Sequence, residues 1–502
     1  MKGVVVSGEF GDLCVREKSG ERLELGELLV AESGGQRFLL QVCHLLYGSQ
    51  LDQQHLELVS GLKLEEDADI GIQDASLRLY VLGRVVSLLE IEGGLARAPK
   101  CLPPFFSLVR SVGRGDFDFL HAPQDGLSLG FMRSGSKTLD VPVVIDGRRM
   151  LSHHVLVAGT TGRGKSVLMK HVLWNLVDLP YAGVLVLDPH DEYFGRSGEG
   201  LSAHPSARSR VVYYTSHDPP PGAVSLRVNV SLLHPSHFQG IVDWSDAQRE
   251  ALHAYYGECG SGWVEAVVRE RQLQHQKFGE GTLAVIKRRL LQVLSLEVSG
   301  EEVRCAGAFC FAGGESTVQD VLRHLHEGRI VIVDTKHVSG HQELLMGSMI
   351  ATEVLNARKR LPAHELEQLP LACIVLEEAP RVIGRDVLER GANIFGTIAR
   401  EGRKFHVGMI AITQLPSLIP REILANMNTK IILGTELKQE RQALMESAAQ
   451  DLSRYDHLIA ALDKGEALVS STFTKFPTPI MVPLLDLKRH VVAKRLFEGV
   501  KV

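Results

Sequence analysis

The sequence predicts an α/β protein: a mostly parallel sheet flanked by helices, interrupted by a helical insertion and preceded by a small N-terminal β-barrel. Three observations carry this expectation. Beyond about residue 125, continuous apolar runs such as Val155-Leu-Val-Ala158 and Val184-Leu-Val-Leu187 alternate with segments of helical spacing. Runs apolar at every position mark strands covered on both faces, as in sheets with helices on each side. Residues 1–100 instead carry short strand-like stretches separated by Gly-Gly and Asp-rich turns. Between 236 and 326 such strands give way to helical spacing, with Leu283, Ile286, Leu290 and Val293 on one face.

The bulk properties narrow the classes. A chain of 502 residues exceeds what one hydrophobic core serves, so several domains are expected. With 44% hydrophobic and 23% charged residues, neither disorder nor a fibrous repeat is indicated. A formal net charge of −5 excludes a globally basic coat, so any nucleic-acid contact must be a local basic surface. No apolar run approaches the roughly 18 residues that span a bilayer, and the start lacks a signal peptide, which points to a cytoplasmic protein without membrane attachment. The seven cysteines show no C-x-x-C spacing, and His364-Glu365 has Gln368 where a zinc-binding helix needs a second histidine, so no zinc site is indicated.

In chain order, Gly3-Val-Val-Val-Ser7, Phe38 to Cys43 and Leu77 to Val85 read as barrel strands within residues 1–100, expected to serve assembly or partner binding. A linker is expected over 101–124, where Pro103-Pro104 and Gly113-Arg-Gly-Asp116 break regular structure. The α/β core is assigned to 125–235 and 327–485, with strands at Val155–Ala158, Val184–Leu187, Ile330–Val333, Cys373–Leu376, Val407–Ile412 and Lys430–Leu433. The insertion spans 236–326, where Ser316-x-x-Gln319 is expected to cap a helix ending at Gly328. Residues 486–502 place Lys488, Arg489, Lys494 and Arg495 among apolar neighbours and read as a docking segment.

Gly159-Thr160-Thr161-Gly162-Arg163-Gly164-Lys165-Ser166 satisfies G-x-x-x-x-G-K-[ST] at every fixed position. The glycines let backbone N–H groups turn onto phosphate oxygens, Lys165 meets the β and γ phosphates, and the Ser166 hydroxyl suits Mg²⁺. An apolar run precedes the loop, and Leu168, Val172, Leu176 and Leu179 follow at helical spacing until Pro180. Strand, loop and helix is the order this motif requires, with the helix's positive end, from Val167 onward, facing the phosphates. The cofactors implied are ATP and Mg²⁺, and the core is expected to be that of a P-loop ATPase.

Hydrolysis also needs a metal-ordering acid and a base for water at a strand's carboxyl end. Cys373-Ile-Val-Leu376 ends in Glu377-Glu378; Glu377 is assigned to the metal side and Glu378 to the base. Asp188-Pro-His-Asp-Glu-Tyr193 ends another strand and suits either a role near nucleotide or a plain strand-ending turn. Gln414, after Val407–Ile412, is placed to sense the γ-phosphate. Arg400, Arg403 and Lys404 precede that strand, either as solvated charges or as a guanidinium offered to a neighbouring subunit's nucleotide. Arg381, Arg385 and Arg390 follow the glutamates in a stretch expected to be a loop gripping DNA phosphates.

These motifs, in this order and with Ala399-Arg-Glu-Gly-Arg-Lys-Phe405 and Thr413-Gln-Leu-Pro-Ser417, resemble HerA, the hexameric DNA translocases within the HerA/FtsK superfamily. The resemblance implies a RecA-like P-loop ATPase core, a homohexameric ring on double-stranded DNA, an ATP-driven translocase or helicase, and a partner nuclease, NurA-like or a defence effector, in DNA-end processing or anti-phage defence. It implies nucleotide binding at Lys165 and Ser166, catalysis by Glu378, sensing by Gln414, and an arginine finger at Arg403. Two departures stand out: His153-His154 replaces the family's Arg-His, and Asp191 stands where glycine is common. A protein-translocating secretion or conjugation ATPase, or an ATP-dependent structural ring that activates a nuclease, are the alternative classes.

Overall fold

The structure is a computed structural model that describes residues 1–65, 72–196, 198–299, 302–305 and 307–484. The basic segment expected at 486–502 lies outside the described residues. The chain divides into two compact units: residues 1–123, 129–145 and 432–482 in one, and 124–128 and 146–431 in the other.

In the first unit, six antiparallel strands close on themselves. Gly3–Glu9 pairs with Asp12–Glu17, which pairs with Leu79–Glu92. The ring continues through Gln36–Ser49, Leu28–Ser33 and Leu108–Ser111 back to Gly3–Glu9. Alternate residues point inward, so Val5, Leu13, Val15, Leu29, Ala31, Phe38, Leu40, Val42, Val85 and Val109 fill the barrel. Closure leaves no free sheet edge along the ring. Two departures from the sequence-based expectation appear here. Leu108–Ser111, inside the stretch assigned as linker, is the strand that closes the barrel. Four residues between proline and glycine breaks are too short to show a period. Ala75–Arg78 is a helical turn, so the strand expected from Leu77 starts at Leu79.

This unit also takes in stretches that the sequence assigns to the α/β core, where Glu466–Ser470, Thr478–Met481 and Gly126–Ser134 pair antiparallel in that order. Buried Tyr455 donates through its hydroxyl to Gln41 Oε1 at 3.0 Å. Arg454 reaches buried Asp12 at 3.1 Å, and the His457 ring stacks on His44.

The second unit is built on a sheet in the order 224–225, 211–215, 330–334, 182–188, 371–376, 407–413, 155–158. The pairings from 224–225 through to 155–158 are all parallel. Ala182–Asp188, Leu371–Leu376 and Val407–Thr413 are buried at every residue, as their unbroken apolar runs require. Helices cover the strands at close range. A Cβ on Gly408 would strike the Leu151 carbonyl of the short helix Gly147–Ser152, so glycine is needed there. In the insertion, helices Asp246–Cys259, Trp263–Val268 and Glu280–Leu294 form, the last burying Ile286, Leu290 and Val293. No strand is expected in this stretch from its helical spacing, yet Leu296–Ser299 pairs with Glu302–Cys305 as a hairpin. Helix Thr317–His326 forms before Gly328, but the Ser316 side chain makes no capping bond, because Ser316 already has helical backbone angles.

Candidate nucleotide site

Three adjacent strands deliver the site. Val155–Ala158 runs into the glycine loop, and helix Lys165–Val177 begins directly after Gly164. Gly162 and Gly164 have φ of 79° and 106°, a region L side chains avoid, which explains the motif's fixed glycine at 164 and the additional glycine at the variable position 162. Val407–Thr413 lies in register beside the loop strand, with Ala158 opposite Thr413 and Gly159 N–H donating to the Thr413 carbonyl at 3.3 Å. Leu371–Leu376 is the next strand over. At about 4.8 Å per strand, the acids therefore stand roughly 10 Å from the loop strand, which leaves room for a phosphate and a water between them. Carboxyl ends of parallel strands are where such sheets bind ligands.

A hydrogen-bond chain links loop and acid. Thr161 Oγ1 donates to Gln414 Oε1 at 2.7 Å, and Gln414 Nε2 donates to Glu378 Oε1 at 3.2 Å. One amide thus reads the phosphate loop through its oxygen and the acid through its nitrogen. Glu378 has φ of 48°, a left-handed conformation that a glutamate holds only when its surroundings impose it. Lys165 Nζ donates to the carbonyls of Gly159 and Thr160 at 2.9 and 3.1 Å. Burial lowers the Lys165 pKa, opposed by the charges of Glu378 and then Glu377. Glu377 is pushed up from the usual carboxylate range by burial, partly countered by a hydrogen bond that the Tyr193 hydroxyl donates to its Oε1.

Asp188 does not face the loop. Its buried carboxylate accepts the backbone N–H groups of His190, Glu192 and Tyr193 at 3.3, 3.1 and 3.0 Å, closing the strand-ending turn. Asp191 has φ of 54° and accepts the Tyr213 hydroxyl at 3.0 Å, so it occupies a conformation that favours glycine. The contacts of Tyr193 with Glu377 and of Thr161 with Gln414 are not legible in the sequence. Tyr193 closes a motif whose acidic members are the natural candidates for chemistry, and Thr161 is one of the phosphate loop's variable positions.

Arg403 is exposed in the turn Gly402–Phe405, at the amino end of Val407–Thr413. Seven strand residues, roughly 20 Å, separate it from Gln414 at the other end, beyond the reach of an arginine side chain. His153 lies at the same edge; burial, then the charge of Arg403 and Arg149, lowers its pKa despite a bond to the Arg149 carbonyl. Arg381, Arg385 and Arg390 are not in a loop as expected. Pro380–Ile383 and Arg385–Arg390 are short helices, since Pro380 suits a first helical position and Gly384 separates the two. Arg381 pairs with buried Glu343 at 3.1 Å, while Arg385 and Arg390 are exposed.

The donor set suits a hard divalent cation: a serine hydroxyl at the start of the helix and carboxylates at the neighbouring strand end are oxygen ligands of the kind Mg²⁺ takes. A Cβ on Gly162 would meet nothing within 4 Å, so the backbone angle and not crowding is what calls for glycine there.

Fold and site together define a P-loop ATPase in which Val407–Thr413, followed by Gln414, lies between the loop strand and the strand that ends in Glu377-Glu378. Residues 127–354 match the family described as helicase HerA, central domain. The DNA double-strand break repair helicase HerA of Saccharolobus solfataricus is 26% identical over 484 residues, covering 93% of this chain and 89% of that protein. Its counterpart from Pyrococcus furiosus is 23% identical over 396 residues, covering 71% and 69%. Among solved structures, the plasmid coupling protein TrwB in complex with ADP and Mg²⁺ aligns with a TM-score of 0.50 at 13% identity, over 75% of this chain and 93% of that one, a likeness of fold. This chain resembles the HerA helicases over nearly its whole length and is an ATP hydrolase. Among the described residues, no helix is long and apolar enough to cross a membrane.

Proposed function

We propose that this protein is an ATP-driven translocase on double-stranded DNA, working as a homohexameric ring with a partner nuclease in DNA-end processing or defence. The chain from Thr161 through Gln414 to Glu378 carries the reading, because it ties the loop that binds phosphate to the acid assigned to water. Mg²⁺ would supply charge neutralisation of the phosphates. Lys165 holds those phosphates, Glu378 accepts the proton of the attacking water, and loss of the γ-phosphate frees Gln414 to rearrange. Ser166 and Glu377 are the residues assigned to the metal side. Arg403 completes the site of the adjacent subunit, a role supported by its distance from its own loop. The similarity to helicases named for double-strand break repair supports DNA as the substrate. The test is ATP hydrolysis with and without linear duplex DNA: stimulation is expected, and equal rates with and without duplex would remove DNA from the reading.

A further inference from the structure

The paired glutamates are held from opposite sides, each by a different neighbouring strand. Glu378 is met by Gln414 from the Val407–Thr413 side. Glu377 is met by Tyr193, which the chain delivers from the end of Ala182–Asp188, on the other side of Leu371–Leu376. The delivery is built in detail. Three backbone bonds to Asp188 close the turn 188–193, the Leu201 N–H donates to the Tyr193 carbonyl at 2.9 Å, and the Tyr193 ring is 1% exposed. With the turn closed and the ring buried, its hydroxyl is held against Glu377 Oε1.

We infer that Tyr193 is a positioning residue for Glu377: by occupying Oε1 it fixes the carboxylate's rotation and leaves only the second oxygen for the metal side of the site. This rests on the ATPase reading and on the assignment of Glu377 to Mg²⁺. A free Glu377 would turn about its last side-chain bond and share both oxygens with water; held, it presents one preset acceptor. The turn that ends in Tyr193 thus serves the acid pair on the next strand instead of touching nucleotide itself.

The experiment uses the full chain and a fluorescent ATP analogue, titrated with Mg²⁺ and, separately, in EDTA. Tyr193→Phe keeps the ring's volume and removes only the donor. The half-saturating Mg²⁺ concentration should rise about ten-fold, while binding in EDTA and the melting temperature stay near wild type. In a Glu377→Gln background, Tyr193→Phe should add no further loss; in a Glu378→Gln background its full effect should persist. An unchanged Mg²⁺ half-saturation, or a full further loss on top of Glu377→Gln, overturns the inference while leaving the ATPase intact. Wild-type protein that binds the analogue with no Mg²⁺ dependence overturns the metal-side assignment along with it.

Discussion

At the residue scale, the proposed function assigns binding and turnover to different groups. Lys165 is the cation beside the phosphate loop and Glu378 the acid tied to it through Gln414. Lys165→Ala should weaken nucleotide binding about 10- to 100-fold, the worth of a charge-assisted hydrogen bond. Glu378→Gln should bind ATP normally and lose about 10²- to 10⁴-fold in turnover, as expected for a lost general base; nucleotide titration beside a phosphate-release assay checks both, and wild-type turnover in Glu378→Gln would remove its assignment. Two buried histidines give a separate, measurable signature. Burial lowers His154 and His237 to about 4 from an ordinary 6.5, with a histidine neighbour adding repulsion in each case. Because the folded value is depressed, the unfolded chain takes up the proton first. Their stabilisation is full above pH 6.5 and is lost as pH falls from 6.5 towards 4, by on the order of 3 kcal/mol each. Denaturant unfolding across that range should show the decline, and His237→Gln should remove about half of it; a flat profile would mean that both histidines are charged in the native state.

At the element scale, the amino edge of the sheet sets up a test of the subunit boundary. Arg403→Ala leaves the loop and acids of its own chain intact, so it should cost about 10³-fold or more in turnover, with nucleotide binding retained. Mixing Arg403→Ala with Glu378→Gln chains creates interfaces with both groups present, and activity should reappear. Mixed rings with no more activity than either variant would place Arg403 outside the site. The elements themselves are unequally legible in the sequence. Leu371–Leu376 and Val407–Thr413 are strands buried on both faces, and an unbroken apolar run ending in Glu377-Glu378 or Gln414 announces both the strand and the end that carries the candidate site residues. Leu108–Ser111 is hidden because its four residues are too few for a period and its partners are about 75 to 105 positions away in sequence. Arg385–Arg390 looks like loop because its six residues, mostly polar and charged, show no apolar stripe. Tyr193 on Glu377 joins positions far apart in the chain, a contact fixed by strand order, which local pattern does not encode. The same limit governs residues 1–100 as a separable piece. Tyr455, Arg454 and His457 hold Gln41, Asp12 and His44 of the barrel. Deleting 1–100 should therefore expose the segment near 455 to protease and lower the melting temperature, instead of leaving an undisturbed remainder; an unchanged protease pattern would make the barrel independent.

At the scale of the whole molecule, charge decides how DNA is held. A chain at −5 repels a polyanion at long range, so binding must come from a concentrated cationic surface. The three arginines after the acid pair are not equivalent for this purpose. Arg381 pairs with Glu343, whose carboxylate is buried, so Arg381→Ala strands a buried charge and should destabilise the fold by about 3 kcal/mol whatever its effect on DNA. Arg385 and Arg390 stand exposed on a helix reached from Glu377-Glu378 through one short helix, so their variants read DNA binding with little effect on folding. If they grip phosphates, Arg385→Ala and Arg390→Ala should weaken binding about equally for unrelated duplexes and reduce the slope of log affinity against log salt by roughly one unit for each phosphate that is no longer held. DNA-stimulated hydrolysis should fall in parallel, and basal hydrolysis should not, because the link from Thr161 through Gln414 to Glu378 does not pass through this helix. Salt titrations of both variants on two duplexes of different sequence make the measurement, and slopes equal to wild type would move the DNA path to another surface.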